Sequence, residues 1–127
     1  MKENQTIKSQ KGFTLVELLV VILILGVLTM ISLPVYVSAV QSTQQGTANA
    51  NARALAAAVR SKAISSGTFD TRVADYAADM GGSLPVNPCT NSTSGYTITT
   101  NSNSATVTAV AGTDCGPWTP TSFTVKG

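Results

Sequence analysis

From Phe13 to Val40 the chain reads FTLVELLVVILILGVLTMISLPVYVSAV, an almost unbroken apolar run, and no charged residue follows Glu17 until Arg53. A run of more than about 18 apolar residues is long enough to cross the roughly 30 Å hydrocarbon core of a bilayer as a helix. Past Val40 the residues turn to Gln, Ser, Thr, Ala and Asn, yet Ala48, Ala52, Leu55, Val59 and Ala63 recur at steps of three or four. Such steps hold one apolar stripe on a helix and turn Arg53 and Arg60 away from it. No proline occurs between Pro34 and Pro85, so the helix is predicted to continue to about Ile64. Ser65-Ser66-Gly67 supplies the stop, since glycine readily takes the left-handed conformation that follows a helix end.

The remaining half carries shorter patterns. Val73, Tyr76, Ala77 and Met80 fall at helical spacing and predict a short second helix over Thr71 to Met80, ended by Gly81-Gly82. Two prolines between Leu84 and Cys89 predict extended loop. Strands are predicted at Tyr96 to Thr100, Ala105 to Val110 and Ser122 to Val125, all rich in Thr, Val and aromatics. Asn101-Ser102-Asn103-Ser104 would connect the first two as a hairpin. Tyr96 and Ile98 share one side of their strand, as do Phe123 and Val125, and a small antiparallel sheet packed on the helix stripe buries both apolar faces. The fold class is therefore α+β, a long N-terminal helix, membrane-spanning in its first half, packed on a small antiparallel sheet.

Charge sharpens the division of the chain. Lys2, Lys8 and Lys11 outnumber Glu3 ahead of the apolar run, and by the positive-inside tendency they stay cytoplasmic and send the C-terminus outward. Without residues 1–12, five bases (Arg53, Arg60, Lys62, Arg72, Lys126) face five acids (Glu17, Asp70, Asp75, Asp79, Asp114), a formally neutral remainder. No basic stripe survives, which argues against direct nucleic-acid binding. Cys89 and Cys115 lie in the polar half, and the chain has no His. After an export-type N-terminus a disulfide is the favoured reading, with two unpaired thiols as the alternative. Catalytic chemistry finds no foothold: there is no GxxxxGK[ST] loop and no nucleophile with a partnering base, and no cofactor or metal is implied. Asp70, Asp75 and Asp79 read as a solvated surface rather than an acid pair or metal site. The Ser and Thr of residues 90–124, Asn91-Ser92-Thr93 among them, read as a solvent-facing strand surface, with glycosylation as the alternative.

One segment is more specific than all of these. Lys11-Gly12-Phe13-Thr14-Leu15-Val16-Glu17, set directly ahead of the aliphatic run, resembles the processing site of type IV pilins and of their nearest relatives, the pseudopilins of type II secretion. The resemblance covers about the first third of the chain. It implies a leader of residues 1–12, cut by prepilin peptidase between Gly12 and Phe13, and N-methylation at Phe13. A lollipop-like subunit would remain, with residues 13–64 as the long helix, 13–40 its transmembrane and assembly segment, and 65–127 a small head with a C-terminal disulfide loop. The competing possibility, a secreted domain released by a signal peptidase, has Val37-Ser38-Ala39 in its favour. Against it stand the length of the apolar run and the acid near its start.

The resemblance also assigns roles. Glu17 would pair with the amine of Phe13 on a neighbouring copy, because a carboxylate in a membrane helix costs about 2.5–3.5 kcal/mol at the bilayer centre, less near an interface, and needs an opposite charge. Its alternative is to snorkel to the headgroups or sit at the positive end of the helix dipole. Gly26 and Pro34 would mark a kink or a segment that melts in the polymer. The implied partners are other copies in a helical filament, the peptidase, an inner-membrane assembly platform with minor pilins, and the lipid bilayer before assembly. The precursor would reside in the inner membrane and the assembled pilus on the cell surface, where such filaments serve motility, adhesion, DNA uptake or secretion. A pseudopilin is the alternative, weakened because Asp114 is the sole acid after Asp79, too few for a late calcium loop.

Overall fold

The computed structural model describes residues 11–127; Lys2, Glu3 and Lys8, in the expected leader, lie outside the described residues. The chain divides into two units, Met1–Tyr36 and Val37–Gly127. A single helix, α1 (Leu15–Ser66), contributes to both.

In the first unit α1 is apolar on every side. Its most apolar 18-residue window has a mean hydropathy of 2.9, and none of that window is buried. Residues 15–36 at 1.5 Å each run about 33 Å, enough to span a hydrocarbon core. Gly26 and Pro34 both lie within continuous helix. Pro34 has no N–H to offer the carbonyl of Met30. Nearby, the hydroxyls of Thr29 and Ser32 donate back to the carbonyls of Leu25 (2.7 Å) and Leu28 (2.8 Å), which satisfies two polar groups on an otherwise greasy surface.

In the second unit α1 carries the expected stripe. Ala48, Ala52, Leu55, Val59 and Ala63 are buried, joined by Ala56. The helix stops at Ser66, two residues beyond Ile64, and Gly67 takes a left-handed φ of 75° while its N–H closes on the Ala63 carbonyl at 2.8 Å.

The stripe packs on a three-stranded antiparallel sheet, β1 (Tyr96–Asn101), β2 (Ser104–Ala109) and β3 (Ser122–Lys126), in the order β1-β2-β3. Alternation decides the faces. Tyr96, Ile98, Ala105, Val107 and Ala109 are buried, and Phe123 and Val125 pack on the same core. Outward, Thr97 pairs with Thr108 and Thr99 with Thr106, and the rows continue to Ser122 and Thr124, whose hydroxyls lie 2.9 Å from those of Thr108 and Thr106. The chain is thus α+β, a long helix packed on a small antiparallel sheet.

The predicted second helix is not α-helical. It resolves into two 3₁₀ turns, Val73–Tyr76 and Ala78–Met80, ended by left-handed Gly81 (φ 88°) and Gly82 (φ 97°). Ten residues are too few to nucleate an isolated α-helix, and tertiary contacts fix this segment instead. The Tyr76 side chain is buried, its hydroxyl donates to the Asp70 carbonyl at 2.8 Å, and the Lys62 ammonium sits 4.8 Å from the centre of its ring. Burial pushes the Tyr76 phenol above its ordinary value.

Candidate functional site

The N-terminal end of α1 is built from four residues outside regular structure, Lys11, Gly12, Phe13 and Thr14, all exposed. Thr14 and Glu17 then close on each other. The Glu17 N–H donates to Thr14 Oγ1 at 3.2 Å, and the Thr14 N–H donates to Glu17 Oε2 at 3.2 Å. This is a capping box, in which two backbone amides that a helix start leaves unpaired are satisfied reciprocally. The T-x-x-E spacing at Thr14 and Glu17 states it in the sequence. Reading Glu17 only as a membrane charge misses that Thr14 holds it.

The geometry leaves the carboxylate half-used. Among the described residues Oε1 of Glu17 has no donor, while Oε2 is tied to the residue next to Phe13. A second donor arriving at the helix head would therefore meet a carboxylate already turned toward it. Around this charge the helix is bare. The large apolar side chains from Phe13 to Val37 are between 45% and 85% exposed, so among the described residues nothing covers them. Moving each such side chain out of water is worth about 1.5–3 kcal/mol, and a dozen or more outweigh the cost of one carboxylate several-fold.

The second unit holds the predicted cystine. Cys89 and Cys115 are bonded, with Cα atoms 4.9 Å apart and a sequence separation of 26. Both are buried, and so is Asn87 beside them, a residue that the sequence patterns did not single out. Its amide donates to the carbonyls of Gly95 (2.6 Å) and Val110 (3.0 Å), and its Oδ1 accepts the Cys89 N–H at 2.9 Å. One side chain thus ties the disulfide loop to the start of β1 and the end of β2. Two glycines make room for it. A Cβ at Gly112 would overlap the Cys89 carbonyl, and one at Gly95 would overlap Thr90 and Asn87. From the helix, Gln45 donates to the Cys115 carbonyl at 2.9 Å and Asn49 accepts the Thr121 N–H at 3.1 Å, which anchors the C-terminal segment.

The three aspartates fall on the segment after the helix. Asp70 caps its own turn by accepting the Arg72 N–H at 2.9 Å, and that hydrogen bond, with the nearby charges of Lys62 and Arg72, holds its carboxyl below the ordinary value. Asp75 and Asp79 sit in separate 3₁₀ turns rather than on one helix face. No group of three or more metal-ligating side chains occurs among the described residues.

Comparison with known proteins bears on both units. Residues 7–33 match the prokaryotic N-terminal methylation motif, a span that includes Gly12, Phe13, Thr14 and Glu17. The chain is 35% identical over 104 residues, 82% of each protein, to the type IV narrow pilus major component PilA5 of Thermus thermophilus. No solved structure matches. A likeness over 82% of the chain reaches well beyond residues 7–33 of the methylation motif, and the chain belongs to the type IV pilin family.

Proposed function

We propose that this chain is a structural subunit, made as a precursor, cut between Gly12 and Phe13, N-methylated at Phe13 and polymerised through α1 into a type IV pilus on the bacterial surface. The observation that carries the reading is a lone carboxylate, Glu17, held by Thr14 at the head of a helix whose apolar surface is left bare among the described residues. Before assembly lipid covers that surface. Afterwards the helices of other copies do, and solvation by acyl chains is exchanged for side-chain packing.

Cleavage changes the charge at the head. It removes the basic leader and creates an amine on Phe13, next to the residue whose N–H already holds Oε2 of Glu17. The free Oε1 then accepts the amine of a neighbouring copy. Opposite charges a few ångströms apart attract far more strongly in a dry bundle than in water, so a mismatched axial position leaves both charges uncompensated. The pair therefore sets register, while the aliphatic surface supplies most of the association energy.

The test is the N-terminus of the protein in sheared surface fibres, read by mass spectrometry. The expected species starts at methylated Phe13. A chain starting at Val40, or one that retains residues 1–12, overturns the proposal. Glu17→Ala adds a second arm: subunits still accumulate in the membrane, and fibres are lost.

A further inference from the structure

Charged side chains of the Val37–Gly127 unit gather at both edges of its sheet, bases alone along one and mostly acids along the other. Along β3, Arg53 and Arg60 stand with Ala56, Ala57 and strand residues Ser122–Val125 around an open groove of about 460 Å³. The two arginines are exposed, and seven residues apart they lie on one helix face, about 10 Å from each other. Lys126 is exposed at the end of the same strand. The opposite edge is β1, and against it packs the 3₁₀ turn Val73–Tyr76. That segment carries Asp75, with Asp79 in the following turn and the Asp70 backbone hydrogen-bonded to the Tyr76 hydroxyl.

Arg53, Arg60 and Lys126 stand on the β3 edge, while Asp70, Asp75 and Asp79 stand on the other beside Lys62 and Arg72, whose charges help hold the Asp70 carboxyl down. Among the described residues no Lys or Arg nitrogen comes within 4.0 Å of a carboxylate oxygen. Even Lys62, on the acidic side, gives its ammonium to the Asp75 carbonyl at 3.0 Å rather than to a carboxylate. Arg72 also stands on that side, exposed, and its backbone N–H, not its guanidinium, is what meets Asp70. Asp75 and Asp79, four residues apart along 3₁₀ turns, are separated by roughly 8 Å. That spacing lies within side-chain reach of two arginines about 10 Å apart.

Two unlike edges on one domain can meet only head to tail, and a contact of that kind repeats without closing on itself unless the rotation happens to form a ring. We infer that the Arg53–Arg60 groove beside β3 docks the Asp75–Asp79 segment of a second copy, as a lateral contact between neighbouring heads. The inference rests on the filament reading above and adds to it. The apolar helices hold the polymer together, and the edge contact sets how adjacent heads are turned. Exposed ion pairs are individually weak and are screened by salt. Repeated at every subunit, they make the fibre's resistance to shear depend on ionic strength.

The experiment uses the full chain in cells that display fibres. Arg53→Glu with Arg60→Glu, and separately Asp75→Lys with Asp79→Lys, are each expected to lower the fibre recovered after shear by about fivefold at physiological salt. Combining all four changes restores recovery. Equal recovery from each double variant and the wild type, or no rescue by the combination, overturns the contact. If a double variant fails to accumulate in the membrane, Arg60→Cys with Asp79→Cys decides instead, by a ladder of disulfide-linked subunits in oxidised fibres. Fibres of the Arg60→Cys/Asp79→Cys variant recovered at wild-type yield without that ladder sink the edge contact alone. A wild-type strain whose fibres lack this protein sinks the filament reading itself.

Discussion

Thr14 and Glu17 illustrate how one residue's role depends on its neighbour. Thr14 supplies the hydroxyl that accepts the Glu17 amide, and Glu17 returns its carboxylate to the Thr14 amide. Thr14→Val keeps the shape and deletes the acceptor, at a cost of about 0.5–2 kcal/mol at the helix start. Hydrogen exchange on the detergent-solubilised chain should show faster exchange at residues 14–18, with Thr14→Ser close to wild type; unchanged exchange contradicts the cap. In the head, Gly112→Ala forces a methyl against the Cys89 carbonyl. The predicted loss is about 1–3 kcal/mol. Asn87→Ala leaves the Val110 carbonyl without its donor and the Cys89 N–H without its acceptor, while the Gly95 carbonyl keeps the Val110 N–H, and each buried unpaired group costs about 1–3 kcal/mol. Urea unfolding of the full chain in detergent checks both, and a midpoint equal to wild type would refute either.

At the level of elements, the cystine closes a long loop, and reducing it frees the unfolded chain by about 3–4 kcal/mol in the loop-entropy account. Cys89→Ala with Cys115→Ala should lower the same urea midpoint while α1 keeps its helical signal, because the first unit makes no use of the bridge. Elements with a strong period were legible before any coordinates. The stripe Ala48, Ala52, Leu55, Val59, Ala63 and the alternating strands each announce which side is buried, because burial demands that period. The segment 71–80 was not. Its helical spacing is real, but a ten-residue stretch takes its geometry from Tyr76 and Lys62 packing, which no local pattern encodes. Asn87 and Gly112 were hidden for a related reason: their partners are Gly95, Val110 and Cys89, brought close only by the fold. The capping box is the opposite case, a local signal plainly present at Thr14-x-x-Glu17.

For the whole molecule, each of the two units poses a different problem. One leaves an apolar helix with a single half-satisfied carboxylate, and the other a folded head with a basic groove along β3 and an acid-rich segment at the opposite edge. Both are surfaces completed by further copies. The electrostatic part should respond to salt and the apolar part should not, so raising ionic strength is predicted to make fibres easier to shear without dissolving them. Complete dissolution by salt alone would mean that the helices do not form the core.

The most direct measurement is a solid-state NMR distance in fibres grown from a mixture of two subunit pools, one labelled with ¹³C at Glu17 and the other with ¹⁵N at Phe13. Transfer between the Glu17 carboxylate and the Phe13 amine across pools is the predicted result. A well-ordered fibre in which that carboxylate sees only nitrogens of its own chain would contradict the account.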